Sequence, residues 1–447
     1  MLKLNLSIIF YLLRRILLVS ACMMLISCAT YSQYAHSLRD GLLHGDPDTS
    51  LAIAEKKDPE HKEIISSLEK GMLRRMTDDY SGSNKIFEIA KQEIEKLYGI
   101  SVTENIASLT INDTFRGYEG DRFEQLLLHA FMAMNYIQLE RLDDARVEML
   151  QANIKMMEWG DEPDEDAFLR YLEGIIYENL NEEDNALISY RKALIVYKEK
   201  GGQHYPRIPD ILKKDLLRLL SVNGLNSEFD KTKKELSMVT YKPAEINNQF
   251  GELVVILNNG LAPIKSEAAL PIFSTEVQQN LRIAFPVYRG VKGVLDKPVI
   301  EVAQQQFTME KVEDIDALAR YSLEQKMPGI MARATARAVV KYNTQQSQQD
   351  GSFAGLLLTV TNLATERADT RSWTTLPQEI QLQRIRLPVG EHQVEIQMKN
   401  SAGKVVDVMS ESVIIKSERS SFVIKHWNAP RIGLPILQVV PQTEERK

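Results

Sequence analysis

The chain has 447 residues, 44% hydrophobic and 26% charged, enough for two or three domains with sizeable cores. Its formal charge is −7 and becomes more negative if a leader carrying Lys3, Arg14 and Arg15 is removed, which argues against a nucleic-acid partner held by phosphate neutralisation. Only two cysteines occur, Cys22 and Cys28, so beyond residue 28 there is neither a disulfide nor a thiolate metal site.

The three cations of residues 1–15 precede an apolar segment, ILLVSACMMLIS at 16–27, and small Ser27 stands directly before Cys28. This is the pattern of an exported leader. Twelve residues are too few for a spanning helix, which needs about 20. Extending the segment upstream would place Arg14 and Arg15 near mid-membrane, at roughly 3 kcal/mol each. Leu25, Ile26, Ser27 and Cys28 resemble the lipobox of bacterial lipoproteins, in which the cysteine receives a diacylglycerol thioether before cleavage. The resemblance implies a signal peptide over 1–27, signal-peptidase recognition at Leu25, Ile26 and Ser27, and lipidation, palmitate included, at Cys28. At about 0.8 kcal/mol per buried CH₂, several acyl chains make a stable anchor. A signal anchor with a buried cysteine is the alternative. Ala29 stands where the family's inner-membrane retention signal has Asp, which implies the periplasmic face of the outer membrane.

Residues 60–200 are helical by period, and three windows align. Gly174, Tyr177, Ala186, Tyr190 and Ala193 fall at offsets 0, 3, 12, 16 and 19; Ala133, Tyr136, Ala145, Met149 and Ala152 repeat them, and Gly71, Arg74, Ser83, Phe87 and Ala90 do so more weakly. Each window reads as a helical hairpin in which small residues let the second helix approach the first. These offsets resemble the tetratricopeptide repeat (TPR), although the spacings of 62 and 41 between the Ser83, Ala145 and Ala186 positions exceed the family's repeat length. A generic helical bundle is the competing description. Helices at 208–221 and 226–238 would close the stack as a capping pair.

The pattern changes near Lys242-Pro243. GELVVILNNGLAPIKSE at 251–267 reads as a buried strand, a turn at Asn259-Gly260 and a return strand, and alternating segments from Val394 onward supply more strands. Between the two groups, helices are expected at about 309–325, 329–343 and 352–366, the second with a basic stripe of Arg333, Arg337 and Lys341 that reads as a solvated face or a contact for anionic headgroups. In ADTRSWTTLP, 368–377, Asp369, Arg371 and Trp373 would share one face of an extended chain. The guanidinium would then pair with the carboxylate and stack on the indole, either as a structural clasp or, with Trp373 and Arg371 exposed, as an interaction hot spot.

No HExxH, Walker A, GxGxxG or GxSxG motif is present, and the seven histidines lack metal-ligand spacing. SxxK occurs at Ser67/Lys70 and Ser401/Lys404 without a KTG triad. No catalytic residue, metal or cofactor is assigned. The expected fold class is α+β: an α-helical TPR-like solenoid over 28–240, then a β-sandwich-like domain over 241–447 with a helical insertion at about 309–366. The order of lipobox, repeats and β-rich half resembles a family of proteobacterial tetratricopeptide-repeat lipoproteins. The resemblance implies an outer-membrane-anchored, non-enzymatic scaffold with envelope proteins as partners, near the synthases of peptidoglycan; a glycan-binding or glycan-processing protein is the alternative.

Overall fold

The computed structural model describes residues 30–58, 63–101, 117–159, 165–244, 247–275, 279–289, 297–346, 367–400, 402–417 and 419–428. Leu25, Ile26, Ser27 and Cys28 lie outside these residues, as does the helix expected at 352–366.

The protein mixes helix and sheet. Among the described residues ten helices lead: α1 (Thr30–Leu43), α2 (Pro47–Lys57), α3 (Ile64–Met76), α4 (Tyr80–Ser101), α5 (Arg122–Gln138), α6 (Leu142–Glu158), α7 (Ala167–Asn179), α8 (Glu183–Lys200), α9 (Asp210–Val222) and α10 (Asn226–Glu235). The three aligned windows are the hairpins α3–α4, α5–α6 and α7–α8. Their small residues Gly71, Ala90, Ala133, Ala145, Ala152, Gly174, Ala186 and Ala193 are all buried. At the tightest points no side chain fits: a methyl on Gly71 would enter the ring of Phe87, and one on Gly174 the ring of Tyr190. Tyr177 is buried and Tyr136 packs partly buried against the same core.

The turns repeat as well. Asp78, Glu140 and Asn181 adopt left-handed backbones, with φ of 61°, 55° and 60°. In each turn the next amide reaches back to the helix that has just ended: Asp79 N–H to Arg74 O at 2.9 Å, Arg141 N–H to Tyr136 O at 2.8 Å, and Glu182 N–H to Tyr177 O at 2.9 Å. These bonds satisfy a carbonyl that a helix end leaves orphaned. The residues at signature offset 3 are therefore the acceptors of the turn.

The strands are β1 (Phe250–Asn259), β2 (Ile264–Ser274), β3 (Gln279–Arg289), β4 (Val299–Val302), β5 (Gln305–Thr308), β6 (Glu310–Asp314), β7 (Glu379–Pro388), β8 (Gly390–Lys399), β9 (Val405–Ile415) and β10 (Ser421–Trp427). They form a sheet β10-β1-β7-β6, a second sheet β5-β4-β8-β9 and a separate ribbon β2-β3. The expected β1–β2 hairpin does not form: β1 pairs with β7 and, in parallel, with β10, while β2 pairs with β3. Gly260 does turn, at φ 70°, but its amide bonds Trp427 and the chain leaves the sheet. The insertion also differs from expectation. It starts with β6, which joins the first sheet, and continues as one helix, α11 (Ile315–Gln346), running through Pro328.

The first sheet is covered on both faces, which is why ELVVIL reads as a continuous apolar run. Leu253, Val255 and Leu257 share a core with Ile300, Val302, Ile396 and Met398 of the second sheet. Val254 and Ile256, with Ile380, Leu382 and Ile424, turn the other way and join Phe87, Phe131 and Ile176 of the hairpins. Helices, first sheet and second sheet are thus three stacked layers, and the repeat layer shares its core with the β half.

Candidate functional site: the inner face of the repeats

The inner helices α3, α5 and α7 carry carboxylates among their buried apolar residues. Glu69 follows Leu68 in α3, and Glu124 sits in the first turn of α5, both buried. Into this face the chain inserts residues 372–375. Glu124 accepts the Trp373 N–H at 2.9 Å; Glu69 accepts the N–H of Thr374 at 2.8 Å and of Thr375 at 3.1 Å, and the Thr374 hydroxyl at 2.8 Å. Arg39 of α1 donates to the carbonyls of Ala262 and Thr374 at 2.7 and 2.8 Å, and Tyr31 donates to that of Ser372 at 2.6 Å. Three consecutive amides, which no sheet partner serves, are satisfied by side chains of the repeats.

Trp373 is not exposed. It is 1% accessible, edge-on to Phe87 at 5.7 Å and to Phe131 at 5.9 Å, and its indole N–H donates to Thr375 at 3.1 Å. Residues 368–374 lie outside regular strand, so their side chains follow the groove rather than alternating across a pleat. The Asp369–Arg371 pair does form, at 2.7 Å, but the guanidinium lies over the ring of Tyr118, 5.6 Å from its centre, not over the indole. Arg371 also borders an open-sided cavity of about 380 Å³ lined by Tyr31, Tyr118, Ile64, Ile65, Leu97, Glu63 and Glu93.

Burial raises the pKa of Glu69, opposed by its hydrogen bonds from Thr375 and Thr374, and burial together with the neighbouring Asp121 raises that of Glu124. Burial acts the same way on Asp121, yet Lys265 and Lys326 outweigh it and hold that carboxyl at about 2.

Farther along the inner face stands a second cluster absent from the sequence reading. Arg384 of β7, only 3% accessible, meets Glu178 at 3.1 Å, Asp215 at 3.0 Å and Glu252, and the Tyr190 hydroxyl at 3.1 Å. Tyr171 donates to Asp215 at 2.6 Å, and Arg218 reaches Glu178 at 2.7 Å. Five elements, α7, α8, α9, β1 and β7, are tied at one guanidinium. A third cluster pairs Asp166, at the N-cap of α7, with Glu313 in the irregular register of β6; both are buried. Burial first, then Asp166, raises Glu313 well above the ordinary carboxyl range, and burial also raises Asp166. Glu69, Glu124, Glu178 and Arg384 were legible only as charges interrupting apolar faces, a signal that does not reveal their partners.

Among the described residues no three His, Cys, Asp or Glu side chains gather as a metal site, and no helix is long and apolar enough to cross a membrane. Ser67 and Lys70 are both buried in α3, with Lys70 bonded to the Asp58 carbonyl. Ser401 lies outside the described residues.

No known family model matches the chain. The ATP synthase gamma chain of Mycoplasmopsis pulmonis (strain UAB CTIP) is 26% identical over 161 residues, which are 34% of this chain and 58% of that relative. This chain therefore spans less than two thirds of the relative's length. Solved structures of MamA align with low scores: MamA 41-end from Desulfovibrio magneticus RS-1 at a TM-score of 0.31 and 10% identity over 47% of this chain and 94% of its own, and a crystal structure of MamA protein at 0.30 and 14% over 48% and 97%. Scores this low carry no argument about fold or partner, and the repeat description rests on the hairpin geometry.

Proposed function

We propose that this chain is an outer-membrane-anchored periplasmic lipoprotein acting as a scaffold for protein–protein contacts in cell-envelope assembly, among proteins that include those of peptidoglycan synthesis. Its architecture in this reading is a TPR-like solenoid over 28–240 clasped to a β-sandwich-like domain over 241–447. The supporting observation is the inner face, where Glu69 and Glu124 grip three successive amides of an extended segment around a buried indole. That is the chemistry of extended-chain recognition, turned here on the chain itself. Because the groove is filled, partners are left the outer helix faces and the second sheet.

Crosslinking in intact cells, with captured proteins identified, is the test. Wild type should capture envelope proteins that a folded, lipid-labelled variant with altered outer faces does not. Equal capture by the two would overturn the reading. For the anchor, Cys28→Ala should abolish lipid labelling, and normal labelling of that variant would refute it. The cavity beside Tyr31 and Tyr118 is what favours a glycan-binding alternative, since aromatic rings beside carboxylates suit sugars. Binding of purified peptidoglycan that Tyr118→Ala abolishes would favour that alternative.

A further inference from the structure

Helix α6 turns Ala145, Met149, Ala152 and Met156 into the core, and on its opposite side Val147, Leu150, Ile154 and Met157 stand 45%, 44%, 56% and 80% exposed. Their spacing of three, four and three is that of successive a and d positions of a coiled-coil seam. Hairpin packing does not require apolar residues there. At the equivalent positions of α4 stand Lys85, Glu88, Gln92 and Glu95. In α8, Ile188 and Ile195 match Val147 and Ile154, but Arg191 and Lys198 replace the other two and pair with Glu228 and Glu235 of α10. Only α6 carries the complete row, and among the described residues nothing covers it.

We propose that the row docks against the same row of a second copy of this chain, in antiparallel two-fold contact. A spacing of three, four and three reads the same in both directions. A two-fold axis level with residue 152 therefore sets Val147 of one copy against Met157 of the other, and Leu150 against Ile154. This is the self-complementarity that an isologous interface requires. The seam's margins, Arg146, Gln151, Asn153 and Glu158, bring one positive, one negative and two neutral side chains per copy, so apposition adds no net charge. Four half-exposed side chains offer on the order of 250 Å² of apolar surface per copy, against ~800 Å² for one side of a standard interface. The dimer is accordingly weak and concentration-dependent.

The experiment is sedimentation equilibrium of the full chain in mild detergent from about 1 to 100 μM, for wild type, Ile154→Asp and Met157→Lys, with circular dichroism melting as the control for folding. Wild type should pass from monomer to dimer across this range, and either variant should weaken self-association at least ~10-fold with an unchanged melting curve. A wild type that is monomeric throughout, as it would be if the row served a different partner, overturns the proposal. A dimer that both folded variants retain also overturns it, because the contact then lies elsewhere. Met157, the most exposed of the four, keeps the test decisive if Ile154→Asp does not fold.

Discussion

Trp373→Ala separates a clasp from a contact surface. The side chain is 1% accessible and lies edge-on to Phe87 and Phe131. Truncating a buried Trp costs about 3–5 kcal/mol through lost transfer energy and the remaining cavity. The upper part of that range applies, because each edge-to-face pair is worth about 0.5–1.5 kcal/mol beyond area burial and two are lost. The Thr375 hydroxyl also loses its indole donor, although it can turn to another partner. With about 5 kcal/mol lost and ~2 °C per kcal/mol, the low end for domains above about 150 residues, melting should fall by roughly 10 °C. The assay is urea and thermal unfolding followed by far- and near-ultraviolet circular dichroism, with Trp373→Phe as a milder control that keeps an aromatic ring in the groove. Helix and strand signals should be lost together, since Trp373 belongs to the core that both halves share. A loss below ~1 kcal/mol would refute the placement of 372–375 in the groove and return Trp373 to the surface.

What the sequence disclosed follows from where the side chains of each element find their partners. Hairpins are local: Gly71 with Phe87 and Gly174 with Tyr190 are each 16 positions apart, so their spacing announces the packing. The capping helices at 208–221 and 226–238 were legible for the same reason and correspond to α9 and α10. Strand partners are not local. Nothing in GELVVIL says that β1 pairs with a strand beginning at Ser421, and the Asn259-Gly260 turn suggested a hairpin that the parallel pairing with β10 displaces. The boundary expected between helices at 309–325 and 329–343 is absent, because one helix continues through Pro328. The inner face was legible as a surface but not as an occupied one, because its occupant lies about 300 positions from Glu69 in the chain. Alternation could foresee the Asp369–Arg371 pair, two residues apart, and could not foresee Tyr118 beneath it.

Gly174→Leu should cost about 1–3 kcal/mol by overpacking against Tyr190, and an unchanged melting temperature would mean that α7 and α8 do not meet there. Arg384→Met should cost about 3–5 kcal/mol by stranding Glu252 and leaving Glu178 and Asp215 to Arg218 alone. Adding Glu178→Gln and Asp215→Asn should recover part of that loss, and no recovery would show that Arg384 acts by packing alone. Glu313→Gln tests the buried acid pair through pH. The folded pKa of Glu313 lies well above its unfolded value near 4.3, so the folded state keeps a proton that the unfolded chain has released. The stability linked to that proton is fully present below about pH 4 and declines as pH rises through the folded pKa. Besides Asp166, the groups facing Glu313 are Asp314 and Tyr197, and Lys200 acts on Asp166; the Asp314 N–H, donating at 3.0 Å, favours an ionised Glu313, but burial and the Asp166 and Asp314 carboxylates outweigh it. Glutamine supplies the donor without needing the proton, so the variant should gain on wild type as pH rises above the unfolded pKa in urea unfolding. Glu69, Glu124 and Asp215 titrate equally in both proteins and cancel from the difference. A difference that stays constant with pH would show that Asp166 and Glu313 do not share a proton in the folded protein.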